Sequence, residues 1–219
     1  MQIERTITRP AASPSMGLLN RVSRRLRYGR PIVVVSGLPR SGTSMAMKML
    51  QAGGLPVLTD GARPSDLSNP DGYFEFELVK QLDKNGDLTW LRNARGKGVK
   101  VISWLVTWLP EHYDYRVIFM QRDLDEVMAS QNAMLLQRGE PRGIDDPDSM
   151  RQIYARHLDQ VYRFLEERGC FTTMTVNYAE VVGRPFVEAK RLAEFLHRPL
   201  DVEGMAAAVD PRLYRNRSA

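Results

Sequence analysis

From residue 31 onward, short continuous apolar runs alternate with longer stretches in which apolar residues recur at helical spacing. The run PIVVVSG at 31–37 is rich in β-branched residues, which predicts a strand covered on both faces. Four further apolar runs are strand candidates: LPVL at 55–58, VKVIS at 99–103, RVIFMQ at 116–121 and FTTMTVNY at 171–178.

Four stretches with helical spacing lie between or after these runs. They are TSMAMKMLQAG at 43–53, DLDEVMASQNAMLLQ at 123–137, residues 145–169, and RPFVEAKRLAEFLH at 184–197. Gly53 and Gly54 end the first stretch, and Asp123 with Glu126 has the spacing of a capping box at the start of the second. The alternation predicts an α/β fold with three layers, α/β/α, around a central, mostly parallel sheet.

Residues 1–30 differ from the rest of the chain and are predicted to form a basic N-terminal arm or short helix, with residues 31–219 as a single domain. Leu18, Val22 and Leu26 share one helical face, so a helix lying on a membrane surface is one interpretation. A short helix packed on the domain, or a frayed arm, is the favoured one.

Composition excludes several classes of protein. Hydrophobic residues make up 43% of the chain and charged residues 26%, which is ordinary for a soluble domain. No apolar run reaches the roughly 20 residues of a membrane span, and the first 30 residues lack the apolar core of a secretory signal. Cys170 is the only cysteine, which excludes an intrachain disulfide and a thiolate zinc site. We therefore expect a cytoplasmic protein.

The net charge of +5 comes mainly from arginine, a side chain that binds phosphate and sulfate through two hydrogen bonds at once. The arginines are spread along the chain instead of clustered with aromatic residues, and the sequence carries no nucleic-acid-binding signature. The charge therefore favours a small anionic ligand over nucleic acid.

The stretch GLPRSGTS at 37–44 joins a predicted strand to a predicted helix and has the composition of an anion-binding loop. Gly37 and Gly42 allow the backbone to turn its amides inward, where they form an anion site with the start of the helix. Arg40 supplies a positive charge, and three hydroxyl donors accompany it: Ser41, Thr43 and Ser44. A tight turn without a ligand is the alternative, but a turn alone does not require this concentration of arginine and hydroxyl groups.

The loop differs from a nucleotide-hydrolysing P-loop at its most diagnostic position, where Thr43 replaces the lysine that contacts the β- and γ-phosphates. No second apolar run ends in an aspartate suited to holding magnesium, since Arg122 precedes Asp123 after the run at 116–121. We expect no metal, and the pattern disfavours a kinase or nucleotide phosphatase.

A second element lies at 117–131, where Arg122 ends a predicted strand and Ser130 follows eight residues later in a predicted helix. Ser130 lies two turns beyond the Asp123 cap on about the same face, so the arginine and the serine can converge on one anion. Taken alone, a surface arginine and an unrelated helix serine is the simpler interpretation.

Together, the two elements resemble the signatures of the sulfotransferase family. The first matches the family's P-[KR]-[ST]-G-T-[ST] loop, in the arginine form that resembles the protein-tyrosine sulfotransferases, with Pro39, Arg40, Ser41, Gly42, Thr43 and Ser44. Arg122 and Ser130 match the second signature, an arginine at a strand end with a serine eight positions on. The resemblance covers most of 31–217 and implies the P-loop nucleoside triphosphate hydrolase-like version of the α/β fold.

The resemblance also implies the cofactor, 3′-phosphoadenosine-5′-phosphosulfate, with adenosine 3′,5′-bisphosphate as product. In the family, the first element holds the 5′-phosphosulfate and the second holds the 3′-phosphate. By the same resemblance, Arg40 and Thr43 stabilise the leaving phosphate, and Lys100 matches a family lysine on the strand before the second element. A charged residue at a strand end is the alternative interpretation of Lys100.

The resemblance is incomplete at the general base, which must take the acceptor's proton. Small-molecule sulfotransferases carry a histidine two residues after that lysine, and this chain has Ile102 there. Other branches use a glutamate between the loop helix and the next strand, and NPDGYFEFE supplies Glu75 and Glu77, with Asp71 nearby. The surrounding aromatic residues can shelter a carboxylate, and we favour Glu75. Surface carboxylates at a helix start are the alternative.

The family commonly closes its cofactor pocket with a basic segment near the C-terminus. Arg212, Arg215 and Arg217 are candidates here, although the usual RKG is absent, and a solvated tail is the alternative. The aromatic pair Trp104 and Trp108, together with Leu105 and Val106, is expected either to line an acceptor pocket or to lie in the core.

The leading hypothesis is an enzyme that moves a sulfuryl group from 3′-phosphoadenosine-5′-phosphosulfate to a hydroxyl or amine acceptor. One rival is a P-loop kinase or nucleotide phosphatase that uses ATP or GTP. Another is a non-catalytic binding module on the same fold, which the missing histidine keeps open.

Overall fold

The computed structural model describes residues 27–61, 72–84, 86–141 and 143–214. Within these ranges, parallel strands form a four-stranded sheet in the order β2-β1-β3-β4. The strands are β1 at Ile32–Gly37, β2 at Gly98–Lys100, β3 at Tyr115–Gln121 and β4 at Phe171–Asn177. The predicted α/β fold with a parallel sheet is confirmed.

Helices connect the strands and cover the sheet. The α-helices are α1 at Thr43–Ala52, α2 at Trp90–Ala94, α3 at Ser103–Val106, α4 at Leu124–Gln137, α5 at Pro147–Glu167, α6 at Tyr178–Gly183, α7 at Pro185–Leu196 and α8 at Val202–Ala207. Two 3-10 helices lie at Glu77–Lys84 and Pro211–Leu213.

Alternate residues of β1 face opposite sides of the sheet, and each side has its own core. Ile32 and Val34 pack with α2, α3 and α5 on one side, while Val33 and Val35 pack with α1, α7 and α8 on the other. All four side chains are at most 2% exposed, which explains the continuous apolar run in the sequence. The chain therefore has the predicted three-layer α/β/α arrangement.

The strand register brings three chain segments to one edge of the sheet. Gly37, the last residue of β1, pairs with Met120 of β3, and Lys100 at the end of β2 pairs with Val35. Because the strands are parallel, the loop after β1, Lys100 and Arg122 all lie at the carboxyl end of the sheet, where α/β folds bind ligands.

Two local predictions at the ends of elements have different outcomes. The prediction of a strand at 55–58 is wrong: Val57 makes only an isolated bridge to Gly98. Asp123 caps α4 as predicted, because its carboxylate accepts hydrogen bonds from the amides of Asp125 and Glu126.

Residues 1–26, which include the apolar face of the N-terminal arm, lie outside the described residues, so the arm stays a prediction. Among the described helices, none combines the length and the apolar character that crossing a bilayer requires.

Candidate functional site

The loop between β1 and α1 turns through two residues with positive φ, Arg40 at 74° and Gly42 at 101°. A Cβ added to Gly42 would lie 2.5 Å from the Tyr178 ring, so only glycine fits this position without displacing the ring. Gly42 is also the N-cap of α1 and offers no side chain to bond the first amides of the helix. Such a loop leaves backbone N–H groups and the positive end of a helix for an anion.

Three hydrogen bonds attach this loop to α4 and to the residue after β3. Arg40 Nε donates to Ser130 Oγ over 3.0 Å, and Gln131 Nε2 donates to the Pro39 carbonyl over 3.2 Å. Arg122 NH1 donates to the Arg40 carbonyl over 3.1 Å. The two elements that the sequence separates by about 80 residues are therefore in direct contact.

Arg122 is held in a buried, charged and aromatic setting. Its side chain is 6% exposed, and its Nε donates to Glu126 Oε2 over 2.9 Å. Tyr214 OH donates to the other oxygen of that carboxylate over 2.8 Å. The guanidinium also lies 4.5 Å from the centre of the Tyr178 ring and 5.4 Å from that of Tyr214. This packing fixes the guanidinium plane before any ligand binds.

A cavity of about 410 Å³ opens at this edge of the sheet, a volume within the usual range of small-molecule sites. Its lining includes nine of the residues predicted for the site: Pro39, Arg40, Gly42, Thr43, Ser44, Glu75, Lys100, Arg122 and Ser130. The cationic side chains of the lining are Arg40, Lys80, Lys100 and Arg122, against the two carboxylates of Glu75 and Asp210. The charge balance suits an anionic ligand.

Lys100 and Ser44 share a single acceptor. Lys100 Nζ donates to the Tyr73 carbonyl, and Ser44 Oγ lies 3.5 Å from the same oxygen. Tyr73 belongs to an irregular segment at 72–76, which is held in turn by Thr59 Oγ1 donating to the Glu75 carbonyl over 3.1 Å. The cavity wall at this point is therefore tied to both the loop helix and β2.

Glu75 and Glu77 separate from each other in the structure. Glu75 lines the cavity, its side chain is 20% exposed, and its Oε2 lies 3.6 Å from Lys80 Nζ. Glu77 begins a 3-10 helix, is 53% exposed, and lies 2.5 Å from the same Nζ. The hydrogen bond to Glu77 is the largest cause of the raised pKa of Lys80. The two carboxylates flank one ammonium group, and Glu77 does not line the cavity.

Other predicted residues lie away from the cavity or outside the described chain. Ser41 is 1% exposed, and its Oγ points into the protein with no hydrogen-bond partner among the described residues. Trp104 and Trp108 are 40% and 52% exposed and do not line the cavity, so the expectation of a core or pocket position is wrong for them. It is confirmed for Leu105, which lines the cavity, and for Val106, which is buried in the core. Asp71, Arg215 and Arg217 are outside the described residues.

Arg212 and the histidines have no place in the cavity lining either. The Arg212 guanidinium is 89% exposed and binds Asp210, which lowers the pKa of that carboxyl to about 2. His157 stacks on Trp104 at 4.1 Å, and its Nε2 lies 2.9 Å from Ser103 Oγ. Burial lowers the pKa of His157. Within the described chain, no cluster of three or more His, Cys, Asp or Glu side chains is arranged to hold a metal ion.

Several lining residues were not predicted from the sequence, among them Tyr73, Lys80, Gln137 and Tyr178. Tyr178 had a usable signal, because it directly follows the apolar run of β4 and parallel strands end at the same edge. Gln137 also had one, because it lies seven residues after Ser130 on the same helical face. Tyr73 and Lys80 belong to no motif.

Neither a protein-family model nor a curated protein sequence matches the chain. Solved structures do match it. The sulfotransferase domain from the curacin biosynthetic pathway is 18% identical, with a TM-score of 0.50 over 85% of this chain and 87% of that domain. The sulfotransferase domain from the Synechococcus PCC 7002 olefin synthase is 14% identical, with a TM-score of 0.54 over 88% of this chain and 90% of that domain. The chain therefore has a sulfotransferase-like fold.

Proposed function

We propose that this protein is a sulfotransferase with 3′-phosphoadenosine-5′-phosphosulfate as its donor. The observation that carries the proposal is that Arg40 and Arg122 line one cavity together with three hydroxyl side chains, Thr43, Ser44 and Ser130. Two linked anion sites suit a nucleotide that carries a phosphate on its 3′ carbon and a phosphosulfate on its 5′ carbon. A nucleoside triphosphate carries its phosphates in one chain and makes no use of a separate site.

The hydrogen-bond donors of the cavity fit this nucleotide. We assign the 3′-phosphate to Arg122 and Ser130, because a buried guanidinium of fixed orientation binds a tetrahedral anion through paired hydrogen bonds. We assign the 5′-phosphosulfate to the loop amides, with Thr43 and Ser44 as further donors. The glycine at position 42 supports the assignment, since a larger residue would displace the Tyr178 ring that packs on the Arg122 guanidinium.

The bound nucleotide supplies an activated sulfuryl group, and the protein supplies position and charge. Arg40, Lys100 and Thr43 line the cavity, where two positive charges and a hydroxyl stabilise the charge that develops on a leaving phosphate oxygen. The Tyr73 carbonyl orients Lys100 for this role by accepting its hydrogen bond.

Glu75 is our candidate for the general base that takes the proton of the acceptor. Among the described glutamates, Glu75 is the one that lines the cavity. Its side chain is 20% exposed, so it is sheltered from bulk water but accessible to an acceptor in the cavity. Glu77, the other glutamate considered from the sequence, is 53% exposed and does not line the cavity.

The C-terminal arginines are proposed to complete the donor site. Leu213 lines the cavity and Tyr214 bonds to Glu126 behind Arg122, so the described chain ends beside the proposed 3′-phosphate site. Arg215 follows directly, and Arg217 comes two residues later. We propose that these two arginines bind the 3′-phosphate together with Arg122.

Thermal unfolding with adenosine 3′,5′-bisphosphate and with ATP, each with and without magnesium, tests the proposal. The bisphosphate should raise the melting temperature without metal, because a ligand that binds only the native state stabilises it by mass action. Stabilisation by magnesium-ATP alone would favour the kinase hypothesis. Bisphosphate binding without turnover on any acceptor would favour the non-catalytic binding module.

A further inference from the structure

We infer that the acceptor is a hydroxyl group on an apolar carbon body, and neither an amine nor a sugar. The inference rests on the proposed function and concerns what we call the acceptor end of the cavity. We use this name for the lining residues of three chain segments, 75–80, 102–105 and 133–137, which are Glu75, Phe76, Val79, Lys80, Ile102, Leu105, Ala133, Met134 and Gln137.

Apolar side chains form most of the acceptor end. Ser130, Ala133, Met134 and Gln137 lie at helical spacing on one face of α4, so the wall changes from polar to apolar one turn beyond the proposed 3′-phosphate site. Phe76, Val79, Ile102 and Leu105 supply the remaining apolar surface from the other chain segments.

The apolar wall is part of the folded core and keeps its shape. Phe76 packs edge-on against the buried Trp90 with ring centres 5.4 Å apart, Val79 is 6% exposed, and Leu105 packs against the same core cluster. A ligand that binds against this wall transfers its surface from water to an apolar environment, which is favourable for a hydrocarbon group.

A sugar acceptor does not match this surface. Each of its hydroxyl groups needs a hydrogen-bond partner once it leaves water. The Tyr73 carbonyl, a polar group of the lining, already accepts from Lys100 and lies within reach of Ser44 Oγ. Gln137, the polar residue that α4 adds to this end, is exposed, whereas Phe76, Val79 and Leu105 pack against the core. The wall therefore favours an acceptor with one polar group, the reacting hydroxyl.

An amine acceptor is disfavoured by charge. An alkyl amine is mainly protonated at neutral pH and would enter a site whose lining holds Lys80, Lys100 and Arg40. Like charges repel, and the repulsion is stronger where water is excluded. Glu75 offers limited compensation because its carboxylate already lies 3.6 Å from the Lys80 ammonium. A neutral alcohol meets none of this repulsion.

The atoms and charges of the sulfuryl transfer balance with an alcohol as the acceptor and one carboxylate as the base. The acceptor oxygen forms a bond to sulfur as the bond between sulfur and the phosphate oxygen breaks. The electron pair of the broken bond stays on adenosine 3′,5′-bisphosphate, and the hydroxyl proton passes to Glu75. The products are a sulfate ester and the bisphosphate, and no oxidant or reductant takes part.

The test measures kcat/KM for sulfuryl transfer by the full-length protein from labelled 3′-phosphoadenosine-5′-phosphosulfate to matched probes. The probes are the primary alcohols from ethanol to 1-hexanol, hexylamine at neutral pH, and methyl glucoside. Burial of each methylene should raise kcat/KM by up to about fourfold along the alcohol series. Hexanol should exceed both hexylamine and methyl glucoside by at least about tenfold.

A pair of variants on α4 links this preference to the wall. Met134→Gln places a polar group of similar size on the cavity wall and should flatten the dependence on alcohol chain length, with about a fivefold loss for hexanol. Leu136→Gln makes the same kind of change on the same helix at a side chain that is 53% exposed and outside the lining, and should leave the series unchanged. Both variants should bind adenosine 3′,5′-bisphosphate like the wild type.

Failure of the inference differs from failure of the proposed function. A flat alcohol series, faster transfer to hexylamine or methyl glucoside, or bisphosphate binding with no transfer to any alcohol would overturn the apolar-alcohol acceptor and leave the donor assignment standing. Absence of bisphosphate binding together with absence of transfer to every probe would overturn the proposed function itself.

Discussion

Arg40 donates its Nε hydrogen to Ser130 Oγ over 3.0 Å, so the arginine of the first anion-binding element is bonded to the serine of the second. Ser130 is 4% exposed and sits on α4, whereas Arg40 belongs to a loop with a positive φ of 74°. The helix thus holds the guanidinium of a residue whose backbone is strained. The two proposed anion sites are parts of one hydrogen-bonded unit.

We expect Ser130→Ala to weaken the binding of adenosine 3′,5′-bisphosphate by about tenfold, since one hydrogen bond to a charged group contributes about 1.5 kcal/mol or more. Arg40→Ala in the same background should cost less than it does alone, because Ser130 no longer holds the guanidinium. Affinities measured by calorimetry for the wild type, both single variants and the double variant give the coupling free energy between Arg40 and Ser130. Strict additivity would show that the Arg40–Ser130 contact does not matter for binding.

Arg122→Ala is expected to reduce affinity for adenosine 3′,5′-bisphosphate far more than for adenosine 5′-phosphosulfate, which lacks the 3′-phosphate. Loss of one charge-assisted partner costs about 1.5 to 3 kcal/mol. Equal losses for the two ligands, measured by titration calorimetry, would mean that Arg122 does not bind the 3′-phosphate.

The same substitution should also destabilise the fold, because Glu126 is 6% exposed and would lose its charged partner. Breaking a buried ion pair from one side costs about 3 to 5 kcal/mol. Arg122→Met combined with Glu126→Gln removes both charges while the glutamine oxygen still accepts from Tyr214. This double variant should recover most of the free energy of unfolding but not the affinity for the bisphosphate, which separates folding from binding.

Glu75→Gln should lower turnover on an accepted alcohol by at least about 100-fold with little change in bisphosphate affinity, because the amide keeps the shape and removes the proton acceptor. Glu77→Gln is the matched control: both carboxylates lie near Lys80 Nζ, but Glu77 is outside the cavity lining, and its variant should stay within about twofold of the wild type. Loss of turnover in Glu77→Gln alone would mean that Glu77 is the general base. Normal turnover in both variants would rule out either glutamate as the base.

The stability of the protein should depend on pH through His157. Its pKa is lowered by burial, so the unfolded chain, with an ordinary value near 6.5, takes up a proton first as the pH falls. The contribution of neutral, buried His157 to the free energy of unfolding is therefore fully present above about pH 6.5. It is lost as the pH falls toward the lower pKa that His157 has in the folded state. Urea unfolding at pH 7.5 and pH 5.5 should show a smaller pH dependence for His157→Gln than for the wild type. The same dependence in both would contradict the role of His157.

The sequence predicts those parts of the fold and site that follow from local patterns. β1 and β3 are continuous apolar runs, and their parallel pairing carries the loop after Gly37 and the residue Arg122 to the same edge. Arg122 and Ser130 were predicted from their resemblance to the second sulfotransferase signature, and helix spacing places Ser130 two turns beyond the Asp123 cap of α4.

Features set by contacts distant in sequence could not be predicted this way. The separation of Glu75 from Glu77 depends on Thr59, whose hydroxyl fixes the irregular segment before the 3-10 helix. The inward position of the Ser41 hydroxyl accompanies the positive φ at Arg40, which no residue pattern indicated. Trp104 stacks on His157 of α5 and contacts the Tyr154 ring edge-on, and it stays 40% exposed.

Calorimetry tests the central claim most directly. The claim is that two coupled anion sites bind an adenosine nucleotide with phosphates on the 3′ and 5′ carbons of its ribose. Adenosine 3′,5′-bisphosphate and adenosine 5′-monophosphate differ only in the group assigned to Arg122 and Ser130. In the presence of a metal chelator, the bisphosphate should bind at least about tenfold more tightly, which corresponds to about 1.4 kcal/mol. Equal affinities of the two ligands, or binding of magnesium-ATP alone, would contradict the proposed donor site.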